Sequence, residues 1–152
     1  MPLKRVFIDT WYLIALLNPK DNAHKEAVEL QPQLEGATGG IVVTDAVLME
    51  LGNFYGSRGS AFRNAAAELI ALALRIDDAP YKLAFIDQSR LQRAVELFAQ
   101  HQDKQWSLTD CSSMVVMEDF GIREIATGDG HFREAQFDLL MTERFKGTPG
   151  NT

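Results

Sequence analysis

Cysteine is nearly absent from this chain. Cys111 is the sole one in 152 residues, so no disulfide can form within the chain, and a reducing compartment fits. Its neighbours supply neither a CxxC partner nor a positioned histidine, which leaves packing as its expected role. The three histidines, His24, His101 and His131, show no zinc-ligand spacing, and each is expected at the surface. Clusters of basic residues are missing too. The net charge is −6, from 15 basic and 21 acidic residues, so no broad positive patch announces a nucleic-acid surface. There is no P-loop and no GxGxxG. Long apolar runs are lacking as well: the stretch from Trp11 to Leu17 is too short to span a bilayer, and no membrane partner is expected. Asp9 interrupts the opening "MPLKRVFIDTWYLIALL" and no small-residue cleavage site follows, so the start reads as a mature, cytoplasmic N-terminus.

What is present is enough apolar sequence, 46%, for one domain with a sizeable core. That domain is expected over residues 1–145, with "KGTPGNT" at 146–152 as a disordered tail. Strand signals at 3–8, 41–44, 81–86, 122–127 and 137–140 alternate with helical ones. The helices are expected over Thr10–Leu17, 22–34, Asp45–Tyr55, Ala61–Ile76, Ser89–Gln100 and from about Thr109 to a stop at Gly121. On the fifth of these, Leu91, Ala94, Val95 and Phe98 share one face. Pro32 weakens the second. Such alternation argues an α/β fold whose mainly parallel sheet carries helices on both faces.

In open sheets of this kind, ligands bind beyond the carboxyl ends of the strands. Asp9 follows the strand "VFI" directly, and Asp129 follows "IREIAT" by two residues. Asp110 opens a helix at Ser107-Leu108-Thr109-Asp110, a capping-box spacing, and helix N-termini in this architecture abut the same rim. Glu50 lies about 60° from Val47 and about 40° from Phe54 on a helical wheel, at the edge of an apolar stripe. A carboxylate there is costly without a positive partner. Four carboxylates drawn together repel unless cations sit between them, and hard oxygen ligands select Mg²⁺ or Mn²⁺. Such ions activate water and stabilise the leaving oxygen in phosphodiester cleavage.

At these residues the chain resembles a known family. "VFIDT", "TDAVLMELGNF", "SLTDCSSMVVM" and "IATGDGHF" look like the acidic motifs of the PIN domain, in the family's order, across about residues 5–140. The T-x-D-x-x-F piece, here Thr127, Asp129 and Phe132, is the most specific. The single-domain size is similar to VapC-type toxins of toxin–antitoxin pairs. The resemblance implies a three-layer α/β/α sandwich and a divalent-metal-dependent ribonuclease. It also implies an RNA substrate, a homodimer and a small antitoxin protein that masks the site. Carried over, Asp9, Glu50, Asp110 and Asp129 become the catalytic and metal-binding acids, with Mg²⁺ or Mn²⁺ as cofactor. Thr10 and Thr127 match hydroxyl positions that orient a carboxylate or a water. Arg58, in the loop "GSRGS", is a candidate phosphate contact.

Two other readings stand beside this one. A PIN-like module that binds or scaffolds without catalysis would need none of the four acids. A phosphoryl-transfer domain with Asp9 as nucleophile would want a second Asp where Trp11 stands.

Overall fold

The computed structural model describes residues 2–75 and 80–144; Ile76 and the expected tail at 146–152 lie outside them. Among the described residues five strands and seven helices follow one another: β1 (Arg5–Ile8), α1 (Thr10–Leu17), α2 (His24–Glu35), β2 (Gly40–Thr44), α3 (Asp45–Tyr55), α4 (Ser60–Ala73), β3 (Tyr81–Ala84), α5 (Gln88–Gln100), α6 (Leu108–Phe120), β4 (Glu124–Ala126), α7 (Gly130–Glu134) and β5 (Asp138–Leu139).

The sheet order is β3-β2-β1-β4-β5, and every pairing is parallel. The first two crossovers step outward from β1 in one direction; the third returns past β1 to β4. Right-handed connections then place α1–α4 on one face and α5–α7 on the other. This is an α/β/α sandwich. The connections that follow β1 and β4 leave in opposite directions, so the crevice between the carboxyl ends of these two strands is the switch point where such folds bind ligands.

Both faces of the sheet are covered, which explains the unbroken apolar run of β1: Val6, Phe7 and Ile8 are all 0–1% exposed. Helix α6 is buried from Asp110 through Met117 and stops at Gly121, whose φ of 65° is left-handed. Thr44 caps α3, its Oγ1 accepting the Val47 N–H at 3.0 Å. Pro32 sits inside α2 without ending it.

Several strands are shorter than the sequence suggests, because side chains or helix ends take the next backbone groups. The Ile86 N–H donates to Asp45 Oδ1 at 2.8 Å, and the Phe85 carbonyl accepts from the Arg90 guanidinium at 2.9 Å, so β3 ends at Ala84. The Ile122 N–H closes the end of α6 on the Met117 carbonyl, which delays β4 to Glu124. The apolar face expected of α5 is only partly covered. Ala94 is buried, whereas Leu91, Val95 and Phe98 are each nearly half exposed. Helical period identified that face correctly but did not say that this chain would leave it outward. Among the described residues no helix is long and apolar enough to cross a membrane.

Candidate active site

Strand register sets the site. Ile8 pairs with Ala126, so the residues that follow them, Asp9 and Thr127, leave the sheet side by side. The Asp9 N–H still reaches the Ala126 carbonyl, at 3.3 Å. Asp9 then caps α1, Oδ1 accepting the Thr10 N–H at 2.9 Å. Its other oxygen, Oδ2, accepts the Thr127 hydroxyl at 2.8 Å. The same Thr127 oxygen accepts the Asp129 N–H at 3.1 Å. One fully buried hydroxyl therefore holds a carboxylate from β1 and the backbone that presents a carboxylate after β4.

Asp129 caps the short helix α7, Oδ1 accepting the His131 N–H at 3.0 Å. That turn swings the imidazole back over the acids. His131 Nδ1 lies 3.1 Å from Asp110 Oδ2 and 3.5 Å from Asp129 Oδ1. Asp110 arrives from α6 and forms the capping box with Ser107: the Ser107 N–H donates to Asp110 Oδ2 at 3.0 Å, and the Asp110 N–H to Ser107 Oγ at 3.0 Å. Capping and site geometry thus coexist in one side chain. Asp9, Asp110 and Asp129 are 4%, 4% and 1% exposed. Carboxylates this buried require compensation, because desolvation penalises their charge.

The structure thus links Asp9, Thr127, Asp129, His131 and Asp110 through one chain of short contacts. Glu50 is placed differently. It is half-buried on α3, a helix that packs against α6, and makes no hydrogen bond or ion pair with any described residue. Thr10 is buried beside Asp9. Arg58 folds onto the end of α3, over the Phe54 ring at 3.7 Å from its centroid, and donates to the Phe54 carbonyl.

His131 corrects the surface role expected for it. Nothing in its spacing to His24 or His101 matters; its nearness to Asp129, two residues before it, does. Ser113 was also missed. Thr10 Oγ1 and Ser113 Oγ are the two buried side-chain oxygens without a hydrogen-bond partner among the described residues. One adjoins Asp9; the other lies one turn beyond Asp110, on the same face of α6. Unmet buried hydroxyls mark places for water or an ion. Together with three buried carboxylates, the donor set suits a small divalent cation.

Gly128 has a steric reason to be glycine. A Cβ there would lie 2.6 Å from the Thr142 carbonyl oxygen and 2.5 Å from Trp11 Cη2. Its φ is not in the left-handed region, so close approach, rather than conformational freedom, selects glycine. Beside Asp129 and His131 opens a cleft of about 210 Å³, with Arg133, Glu143 and Arg144 on its walls. These arginines are paired, Arg133 with Glu143 and Arg144 with Glu26. Cys111, next to Asp110, is fully buried, and burial together with the Asp110 charge pushes its thiol up to about 11.

The family model of the PIN domain matches residues 6–138. The chain belongs to the PIN domain family. This PIN domain is similar in structure to VapC20 of Mycobacterium tuberculosis, described as a sarcin-ricin loop cleaving toxin. The two are 26% identical, with a TM-score of 0.75 over 88% of this chain and 96% of that one. FitAcB from Neisseria gonorrhoeae superposes on the PIN domain with a TM-score of 0.65, covering 90% of this chain and 97% of that one; at 14% identity the likeness is one of fold. No curated protein matches the chain.

Proposed function

We propose that this PIN domain is a divalent-metal-dependent endoribonuclease, the toxin of a toxin–antitoxin pair. The observation that carries the reading is a set of three buried carboxylates at the switch point of a parallel sheet: Asp110 and Asp129, which offer ligand atoms within 4.8 Å of each other and of His131, and Asp9, tied to the Asp129 backbone through Thr127. The likeness to VapC20, described as a sarcin-ricin loop cleaving toxin, supports RNA as the substrate.

In this reading Asp9, Asp110 and Asp129 hold Mg²⁺ or Mn²⁺, and Glu50 joins them from α3 to hold a second ion or a water. When bound, such ions supply Lewis acidity: they make water nucleophilic near neutral pH and offset charge building on the phosphoryl oxygens. The chain's own residues do the rest. The Thr127 hydroxyl and the Thr10 N–H fix the orientation of the Asp9 carboxylate, and the capping box fixes that of Asp110. Two divalent ions would offset four of the six net negative charges, which removes the objection that an acidic protein repels RNA. Arginines along the cleft, once released from Glu143 and Glu26, and Arg58 are the candidate phosphate contacts.

The half-exposed Leu91, Val95 and Phe98 of α5 support a protein partner, and we assign to this PIN domain a homodimer and a small antitoxin as partners.

The test is cleavage of a panel of structured RNAs by the purified chain, with Mn²⁺, with Mg²⁺ and with EDTA. Cutting is expected with either ion, absent in EDTA, and reduced by about 100-fold or more in Asp9→Asn at unchanged circular dichroism. Undiminished cutting in EDTA or in Asp9→Asn overturns the assignment. Failure of the wild-type chain to cut RNA or to bind Mn²⁺ would move the weight to a non-catalytic binding module.

A further inference from the structure

Resting on the reading of the acids as a cation site, we infer that His131 is a nitrogen ligand to that cation and makes the site prefer Mn²⁺ over Mg²⁺. The ring is positioned by the chain itself. Its own N–H is fixed to Asp129 Oδ1 at the start of α7, and its side chain is 18% exposed, most of it held against the site. One ligand atom each from His131, Asp110 and Asp129 lie within 4.8 Å of one another. Ligand atoms at right angles around an ion with bonds of about 2.1 Å stand about 3 Å apart. The separations of 3.1 Å and 3.5 Å from Nδ1 to the two carboxylates are close to that edge length, so a cation would need little rearrangement to touch all three.

Chemistry then sets the preference. An imidazole nitrogen is a borderline ligand that first-row transition ions accept readily. Mg²⁺ favours oxygen and holds its waters tightly. Replacing one oxygen donor by Nδ1 therefore favours Mn²⁺. The alternative for Nδ1 is to keep a proton and donate it to Asp110, in which case His131 positions that acid without touching the ion.

Pulsed electron paramagnetic resonance on the full chain loaded with Mn²⁺ separates the two. Nitrogen modulation from a directly bound imidazole is expected in the wild type and its loss in His131→Asn; the other two histidines are committed elsewhere, His24 to the Ala15 carbonyl and His101 against Trp106. Calorimetric titration of the same two proteins should show Mn²⁺ affinity falling by about tenfold or more and Mg²⁺ affinity by less than about threefold. Bound Mn²⁺ without nitrogen modulation in the wild type overturns the inference and leaves the nuclease reading standing. No Mn²⁺ binding at all overturns both. The wild-type spectrum decides the matter even if the variant folds poorly.

Discussion

Replacing Thr127 by valine removes a hydroxyl while keeping the shape and branching of the side chain. Thr127 is completely buried, and its oxygen makes two contacts: a donated bond of 2.8 Å to Asp9 Oδ2 and an accepted bond of 3.1 Å from the Asp129 N–H. A hydrogen bond to a charged group contributes about 1.5–3 kcal/mol, and stranding a buried N–H costs about 1–3 kcal/mol. The two losses share one atom and Asp9 can turn partly toward other donors, so a total of about 2–4 kcal/mol is expected. For a chain of this size that lowers Tm by roughly 4–16 °C. On the proposed nuclease reading the functional loss should be larger, because Asp9 then keeps the Thr10 N–H but not the Thr127 hydroxyl, and a misplaced catalytic group costs on the order of 100-fold. Thr127→Ser is the control. It loses a methyl group yet keeps both bonds, so Mn²⁺ affinity and cleavage should stay close to wild type. Thermal denaturation, metal titration and RNA cleavage on the three proteins decide it. If valine behaves as wild type in metal binding and cleavage, or if serine is as impaired as valine, the hydroxyl bridge does not organise the site.

Gly128→Ala should destabilise by about 1–3 kcal/mol, read as a lower Tm, since its new methyl meets both the Thr142 carbonyl and the Trp11 ring. An unchanged melting curve would show that Trp11 and the 142–144 segment yield freely. Cys111, buried and with its thiol pushed up to about 11, should resist iodoacetamide in the native protein and react once unfolded; rapid native labelling would contradict the packing. For Glu26, burial pushes the carboxyl up, but bonds from Arg144 and Thr142 outweigh it and hold the pKa below its ordinary value of 4.5. A carboxyl depressed by folding contributes stability that is complete above that ordinary value and is lost as pH falls through the folded one. Tm should therefore drop more steeply below about pH 4.5 in the wild type than in Glu26→Gln, and parallel curves would refute the assignment.

The fold was legible wherever a local signal settled an element. Helices at Thr10–Leu17 and Asp45–Tyr55 begin within two residues of a strand end and run as far as their apolar pattern. Gly121 marked the end of α6 because a left-handed cap favours glycine. Helix α7 was not legible: five residues hold too little period to see, and it exists because Asp129 caps it. The acids at the strand ends were visible through the rule that such sheets bind ligands at that rim. His131 was not, because its ring meets Asp110 only through a turn geometry and a partner 21 residues back in sequence. The reason for Gly128 was not legible either. Sequence offers conformational freedom as the reason for a glycine, whereas here the reason is a tryptophan from α1 and a carbonyl from residue 142, both remote in sequence.

The bond between Thr127 and Asp9 spans 118 residues. During synthesis, Asp9, Glu50 and Asp110 all leave the ribosome before β4 exists to pair with β1. A nascent or truncated chain can thus carry most of the acids and still lack the pocket that aligns them. The pairing of first and fourth strands acts as a timing device. The carboxylates of this rim are aligned only when nearly the whole domain has been made and β1 and β4, far apart in sequence, have met.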